Sequence, residues 1–173
     1  VGATERIQEI FAMDSEPVED QASIALEDGI ITFKDVHFSY GENKKIINGI
    51  TFEAKPGTVT AFVGPSGGGK TTIFSLLERF YEPDHGEIYF NGSPIHELPL
   101  RDWRSKMGYV SQESPLMSGT ILSNMTYGMT KIPSMEKIIE AAKAANASSF
   151  IEELPDKYDT LVGERGMKLS GGQ

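Results

Sequence analysis

The segment from Gly64 to Thr71 reads Gly-Pro-Ser-Gly-Gly-Gly-Lys-Thr and fits the phosphate-binding pattern G-x-x-x-x-G-K-[ST]. Residues 58–63 before it are β-branched and aromatic, which predicts a buried strand, and residues 72–80 after it have apolar side chains at helical spacing. Glycine lets backbone N–H groups turn toward an anion, and a helix N-terminus adds partial positive charge. The pattern therefore predicts a nucleotide site in which Lys70 reaches the β- and γ-phosphates and Thr71 holds Mg²⁺. The predicted site residues are Gly64, Pro65, Ser66, Gly67, Gly68, Gly69, Lys70, Thr71 and Thr72.

Composition limits the classes of protein to which the chain can belong. Its 173 residues are about one domain, and 16 basic against 25 acidic residues leave a formal charge of −9, which argues against a broad nucleic-acid surface. Cysteine is absent, so disulfides are excluded. No apolar run approaches the roughly 18 residues that span a bilayer, and no secretory signal is visible.

The first two thirds of the chain read mainly as strands and turns. Gly29–Tyr40 is strand-like with a change of phase near Lys34-Asp35, which predicts a bulge. Further strands are predicted from Ile46 to Phe52, from Glu87 to Phe90 before an Asn91-Gly92 hairpin turn, and, as a buried strand, from Met107 to Val110. Pro99 is placed to open a short helix that ends near Lys106.

The last third reads as helical. Residues 120–127 are predicted to form a helix, and the spacing of Met135, Ile138, Ile139 and Ala142 predicts another, capped by Ser134. Ser149 to Glu152 fits a capping box at the start of a third helix. Trp103 is expected to be a packing residue, and the three histidines, without metal-ligand spacing to any cysteine, are expected to be structural.

The first residues leave two interpretations open. Ile7, Ile10 and Phe11 share one helical face in residues 1–13, and an acidic stretch with Pro17 follows as a linker. The segment could be a solvated helix with an apolar stripe or the tail of an upstream domain. Because the chain begins with Val1 and stops inside a motif, we expect it to be part of a longer polypeptide.

The sequence Leu-Ser-Gly-Gly-Gln at residues 169–173 reduces the number of P-loop protein families to which the chain can belong. With the P-loop first, then Tyr-Val-Ser-Gln ending at Gln112, then helices, this order resembles the nucleotide-binding domain of ABC transporters, and the resemblance covers essentially the whole chain. Val162-Gly163-Glu164-Arg165-Gly166 resembles the exporter-specific loop of that family. The chain is most similar in character to bacterial multidrug-type half-transporters, in which this domain follows the membrane domain.

The resemblance implies roles for further residues. Tyr40 would stack on adenine, since it stands where the family places an aromatic, and Gln112 would contact Mg²⁺ and couple nucleotide state to the membrane domain. Glu164 and Arg165 would contact the coupling helices of that domain. The signature residues would bind the γ-phosphate of ATP on an opposite subunit in a head-to-tail homodimer; they are Ser170, Gly171, Gly172 and Gln173.

The expected fold class is α/β: a P-loop NTPase core with an antiparallel β subdomain and an α-helical signature subdomain, the C-terminal part of the domain being absent. Residues 1–22 would be the connector from an upstream membrane domain and 23–173 the N-terminal part of the ATPase domain, divided into an α/β core and β subdomain at about 23–115 and a helical subdomain at about 116–173. The domain would lie on the cytoplasmic face of the cell membrane. The Asp-Glu pair, the histidine and the core strands that the family places after the signature would lie beyond Gln173, so this segment alone is expected to be largely inactive and poorly stable.

Three functions remain open at this point. The favoured one is the ATPase domain of an export pump, which binds ATP and Mg²⁺ and contacts no nucleic acid. A soluble ABC ATPase that acts on nucleic acid is the second, and the acidic charge and exporter-like loop weigh against it. A non-hydrolysing ATP-binding interaction module is the third. An upstream set of membrane-spanning segments would separate the first from the second.

Overall fold

The structure is a computed structural model that describes residues 6–8, 11–12, 16, 25–41, 45–111, 115–129, 131–163 and 169. The chain divides into two compact units, residues 1–108 and residues 109–173. Over the described ranges, no helix has both the length and the apolar character needed to cross a membrane.

A four-stranded antiparallel sheet organises the first unit. Its strands are β1 (Ile31–Ser39), β2 (Lys45–Ala54), β3 (His85–Phe90) and β4 (Ser93–Pro94), in the spatial order β2-β1-β3-β4. The pairing of β1 with β2 shifts register between Phe33 and Val36, and Asp35 there has a φ of 49°. The bulge predicted from the phase change is therefore confirmed. Asn91 and Gly92, both at positive φ, form the predicted hairpin turn between β3 and β4.

The helices of the first unit pack against this sheet. Helix α1 (Lys70–Leu77) follows the glycine-rich loop, a 3₁₀ turn covers Ile95–Glu97, and α2 (Leu100–Ser105) begins after Pro99, as predicted. Alternation along β1 sends Phe33, Val36 and Phe38 inward because of the bulge. The buried core of this unit consists of Leu26, Phe33, Val36, Phe38, Ile47, Ile73, Leu76, Ile88, Ile95, Leu98 and Trp103.

Two predicted strands are absent. Residues 58–63 have no strand assignment, and Val59 and Val63 are 98% and 94% exposed. Residues 107–110 likewise form no strand, and Val110 is 89% exposed. Both predictions of buried strands are wrong for this chain, because a strand needs a neighbour to receive its backbone hydrogen bonds, and in the described part of the chain neither segment pairs with one.

The second unit is mainly helical. It contains α3 (Ile121–Met125), α4 (Met135–Ala144) and α5 (Ser148–Glu153), with a 3₁₀ turn at Lys157–Asp159, and a short ladder joins β5 (Gly119–Thr120) to β6 (Leu161–Val162). The first two helices are where the spacing predicted them. Ser134 is the N-cap residue of α4, but its side chain makes no capping bond. The prediction of a capping box at Ser149 is wrong, because α5 begins at Ser148 and its N-cap residue, Ala147, has no side-chain acceptor.

Candidate nucleotide-binding site

The glycine-rich loop from Gly64 to Gly69 turns back on itself just before α1. The Gly68 N–H donates to the Pro65 carbonyl oxygen at 3.1 Å, and Gly67 and Gly69 have φ values of 77° and 80°. Side chains with a Cβ rarely adopt that region, so the path of the loop depends on glycine at these two positions. The loop residues 64–68 are exposed, which leaves their backbone accessible to a ligand.

Gly69 is also required by packing. A Cβ built at Gly69 would lie 2.6 Å from Ile47 Cδ1 and 3.1 Å from Ile46 Cγ2, both on β2. Because Ile47 is in the core, it has little room to move. Strand β2 thus holds the end of the loop against the sheet and sets where α1 begins.

Lys70, the first residue of α1, folds back over the loop. Its Nζ donates to the carbonyl oxygens of Gly64 at 3.0 Å and Pro65 at 2.7 Å. The ammonium group therefore lies over the mouth of the loop, and its acceptors among the described residues are neutral. A phosphate oxygen at this place would offer the same group a stronger, charge-assisted bond.

The N-terminus of α1 is open. Its N-cap, Gly69, provides no side-chain acceptor, and no acidic residue lies in the first turn. The first N–H groups of a helix lack intrahelical partners, and together with the helix dipole they favour a bound anion. Thr71 is exposed in this turn and presents a hydroxyl oxygen, a ligand type that Mg²⁺ accepts. The local geometry fits a phosphate group with its magnesium ion.

Thr72 and Tyr40 are brought together by the fold. Thr72 is only 5% exposed, and its Oγ1 accepts a hydrogen bond of 3.3 Å from the Tyr40 hydroxyl. The Tyr40 ring packs edge-to-face against Phe38 and Tyr81, with centroid distances of 4.8 and 5.1 Å, yet 47% of the residue is exposed. An aromatic surface held by two neighbours and open to solvent can accept a planar base. Sequence reasoning missed Tyr81, because nothing in its linear position relates it to Tyr40.

The other end of α1 is held by α2. Trp103 Nε1 donates to the Leu77 carbonyl at 2.7 Å, and the Arg104 guanidinium donates to the carbonyls of Glu78 and Arg79 at 2.9 and 3.2 Å. Trp103 is buried, as expected of a packing residue, but its role as a hydrogen-bond donor was not foreseen. A cation beside the C-terminal carbonyls of a helix is favoured by the helix dipole. The helix that carries Lys70 and Thr71 is therefore anchored by a well-packed neighbour.

Arg104 also binds the carboxylate of Glu16 through two hydrogen bonds of 2.7 and 2.9 Å. Hydrogen bonding to Arg104, reinforced by the positive charges of Arg104 and Arg79, lowers the pKa of Glu16 below its ordinary value of 4.5 against the opposing effect of desolvation. The side chain of Glu16 is 58% exposed, so solvent screens the pair. Glu16 is thereby linked through Arg104 to the end of α1.

Several predicted site residues lie outside the described residues: Gln112, Glu164, Arg165, Ser170, Gly171, Gly172 and Gln173. Leu169, the first residue of the signature sequence, is described and packs against the helical core formed around Ile121, Ile138 and Ile151. The roles predicted for the other signature residues stay predictions.

Comparison with known proteins identifies the family. The family described as ABC transporter matches residues 47–173. The chain is 46% identical, over 99% of its length, to a multidrug resistance ABC transporter ATP-binding and permease protein of Lactococcus lactis subsp. lactis (strain IL1403), of which it covers 29%. It is 41% identical over its whole length to an ATP-dependent lipid A-core flippase of Alkalilimnicola ehrlichii, of which it covers 30%. The chain thus spans less than a third of the length of these relatives.

A solved structure agrees with the sequence comparison. A bacterial Atm1-family ABC exporter with ATP bound matches 98% of this chain with a TM-score of 0.85 and 38% identity, and the chain covers 30% of it. The α/β fold class expected from the sequence, a P-loop NTPase core with β and helical subdomains, is confirmed by this likeness.

Proposed function

Since this chain belongs to the ABC transporter family, we propose that it is the ATP-binding part of an exporter ATPase domain, which couples ATP binding and hydrolysis to outward transport across a membrane. The observation that carries the proposal is the loop–helix junction itself. It combines an open helix N-terminus, two glycines at positive φ and a lysine held over the loop by neutral carbonyls. Membership of the family implies ATP binding, and the junction has the chemistry to hold the phosphates.

Each residue of the junction then has a distinct role. The backbone N–H groups of residues 66–69 and of the first turn of α1 would surround the β-phosphate, and Lys70 would exchange its loop carbonyls for β- and γ-phosphate oxygens. Thr72, buried beneath Tyr40, would fix the start of α1 relative to the tyrosine ring, on which adenine would stack. Thr71, with Gln112, would hold Mg²⁺, whose charge offsets that of the phosphate oxygens.

The larger assembly is also a proposal. Relatives named as ATP-binding and permease proteins carry both functions in one polypeptide, which supports a membrane domain in the same polypeptide as this chain. Residues 1–22 would be the connector from that domain, with the α/β core and β subdomain at about 23–115 and the helical subdomain at about 116–173. A second ATPase domain would pair head-to-tail with this one, so that Ser170 to Gln173 would contact ATP bound to the partner. The domain would then face the cytoplasm at the cell membrane, without a nucleic-acid partner.

The proposal is tested on the full-length protein in lipid vesicles by measuring MgATP hydrolysis. Lys70→Ala removes the only side-chain cation over the loop among the described residues. We expect hydrolysis to fall about 100-fold or more, because a donor aimed at developing charge in a dry site has an effect of that order. Lys55→Ala, an exposed lysine just before residues 58–63, is the matched control and should retain the wild-type rate.

Two results would contradict the proposal. One is a Lys70→Ala variant that hydrolyses ATP at the rate of the Lys55→Ala control. The other is a wild-type rate that depends on added DNA or RNA and not on the lipid bilayer, which would favour the soluble nucleic-acid-acting alternative.

A further inference from the structure

Three metal-binding side chains meet on the sheet of the first unit, apart from the residues proposed to hold nucleotide. They are Asp35, His37 and His85, and one ligand atom from each lies within 4.8 Å of the other two. Asp35 Oδ1 is 3.0 Å from His37 Nε2, and Asp35 Oδ2 is 3.6 Å from His85 Nδ1. The carboxylate therefore lies between two imidazole rings, whose centroids are 5.4 Å apart.

Strand pairing holds the two histidines in this position. His37 on β1 and His85 on β3 are directly paired across the antiparallel ladder. Next to this pair, the Asp84 N–H donates a hydrogen bond of 2.8 Å to the His37 carbonyl, which adds a backbone link between the two segments. Side chains that are paired across two strands keep a short, fixed separation, which a metal site needs.

The bulge in β1 brings the carboxylate to the histidines. Asp35 has a φ of 49°, and its N–H donates to Thr51 Oγ1 at 2.9 Å. Gly86, next to His85, lies directly against the Asp35 carbonyl, and a Cβ at Gly86 would overlap it. Without the bulge, Asp35 and His37, two residues apart, would be separated along the strand by about 6.5 Å of rise. The bulge brings their ligand atoms together.

We propose that Asp35, His37 and His85 bind a divalent transition-metal ion of the zinc class. Adjacent ligands of a tetrahedral zinc ion with bonds of about 2.0–2.1 Å lie about 3.3–3.4 Å apart. Each histidine here faces its own oxygen of the Asp35 carboxylate, at 3.0 and 3.6 Å, and all the ligand atoms lie within 4.8 Å of one another, so small side-chain rotations bring them to that spacing. Two imidazoles and one carboxylate suit zinc, cobalt or nickel, whereas magnesium and calcium prefer oxygen ligands alone. The ion would join the bulge of β1 to the start of β3.

The open side of the cluster can supply the remaining coordination position. The three side chains line a depression of about 440 Å³ together with Ser39, Lys45, Ile47 and Asp84. His85 and Asp35 have side chains that are 70% and 59% exposed, so an ion can reach them without rearrangement of the core. Water would complete the coordination from this side.

The test is a titration of Zn²⁺, and separately of Co²⁺, into metal-stripped full-length protein without nucleotide. We expect one Zn²⁺ per chain, unaffected by excess Mg²⁺, and visible absorption from Co²⁺ in a site of low coordination number. His85→Ala removes an exposed side chain and should weaken Zn²⁺ binding at least about tenfold, since even outer partners of metal ligands contribute that much. Asp35→Asn should weaken binding similarly while keeping a residue that tolerates positive φ.

His96 provides the matched control, because it also pairs with a carboxylate, at 3.2 Å from Glu87, but forms no three-ligand cluster with other described residues. His96→Ala should leave the Zn²⁺ affinity and the Co²⁺ spectrum unchanged. Equal Zn²⁺ affinity in the wild type and the His85→Ala variant would overturn the proposal, as would an equal loss in His96→Ala. The His85→Ala and Asp35→Asn variants must bind ATP as tightly as the wild type does, so that a folding defect is not mistaken for loss of the metal site.

Discussion

At the residue scale, Gly67 and Gly69 show that two glycines of one motif can be required for different reasons. Their φ values, 77° and 80°, differ little, so the conformational cost of a side chain is similar at both. Their surroundings differ, because a Cβ at Gly67 would meet nothing within 4 Å while one at Gly69 would collide with Ile47 and Ile46. The motif pattern requires glycine at position 69 but not at position 67, where only the backbone conformation favours it, and of the two only Gly69 is in contact with the sheet.

This difference predicts that replacement by alanine lowers the free energy of unfolding by unequal amounts at the two glycines. Gly67→Ala should lower the free energy of unfolding by about 1–2 kcal/mol, the cost of a left-handed L-residue. Gly69→Ala should cost about 1–3 kcal/mol more, because β2 must shift to admit the methyl group. Urea unfolding of the two variants measures this, with Gly67→Ala as the internal control. Equal urea midpoints for the two variants would contradict the prediction, because they would show that Ile47 moves aside without lowering the stability.

At the scale of elements, α1 presents its open N-terminus to solvent while its C-terminus is held by α2. Trp103 and Arg104 satisfy the last carbonyls of the helix, and the Arg104 guanidinium lies 4.7 Å from the centroid of the Phe80 ring. Glu16 forms a salt bridge with the same guanidinium. The C-terminal end of α1 is therefore held by α2, and Glu16, far from both in sequence, binds the same Arg104 side chain.

The Glu16–Arg104 pair makes a prediction about pH. The pKa of Glu16 is lowered in the folded protein, so the pair stabilises the fold above the ordinary glutamate pKa of 4.5 and this contribution is lost as pH falls through the folded-state value. Glu16→Gln should thus be less stable than the wild type near pH 7, by a small amount because the pair is exposed, and the difference should vanish at acid pH. Thermal midpoints of both proteins between about pH 3 and pH 7 measure this difference. A difference that stays constant across this range would contradict the assignment.

At the scale of the whole molecule, residues 58–63 are exposed except for Phe62, and the face that carries Val59 and Val63 is open. Phe62 packs edge-to-face against Phe52 and Phe74, with centroids 5.2 and 5.7 Å apart, whereas Val59 and Val63, on the opposite face, are almost completely exposed. Since the relatives are more than three times as long as this chain, we expect residues outside it to cover the open face in the full-length protein.

The substitution Val63→Asp should have different effects in the 173-residue chain and in the full-length protein. In the 173-residue chain the side chain is 94% exposed, and the change should alter the free energy of unfolding by no more than about 0.5 kcal/mol. In the full-length protein an unpaired carboxylate would be buried, and we expect a loss of several kcal/mol. Val63→Ile serves as the apolar control and should be tolerated in both. Equal tolerance of aspartate in both proteins would show that this face stays open to water.

Local chemistry was predictable from the sequence where the interacting residues are adjacent along the chain. The turn of the glycine-rich loop, the start of α2 after Pro99, the bulge near Asp35 and the Asn91-Gly92 turn all depend on backbone preferences within a few residues. The prediction of strands at 58–63 and 107–110 failed because a strand depends on a partner elsewhere, which composition cannot reveal.

The sequence by itself determined that this chain has a P-loop and belongs with nucleotide-binding ABC domains, because that information lies in short motifs and in their order. The tertiary structure alone decided which distant side chains meet. Strand register places His37 against His85, and helix packing places Trp103 and Arg104 at the end of α1. These contacts join residues whose separation in the chain carries no signal, since pairing and packing are set by the free energy of the whole core and not by local preference.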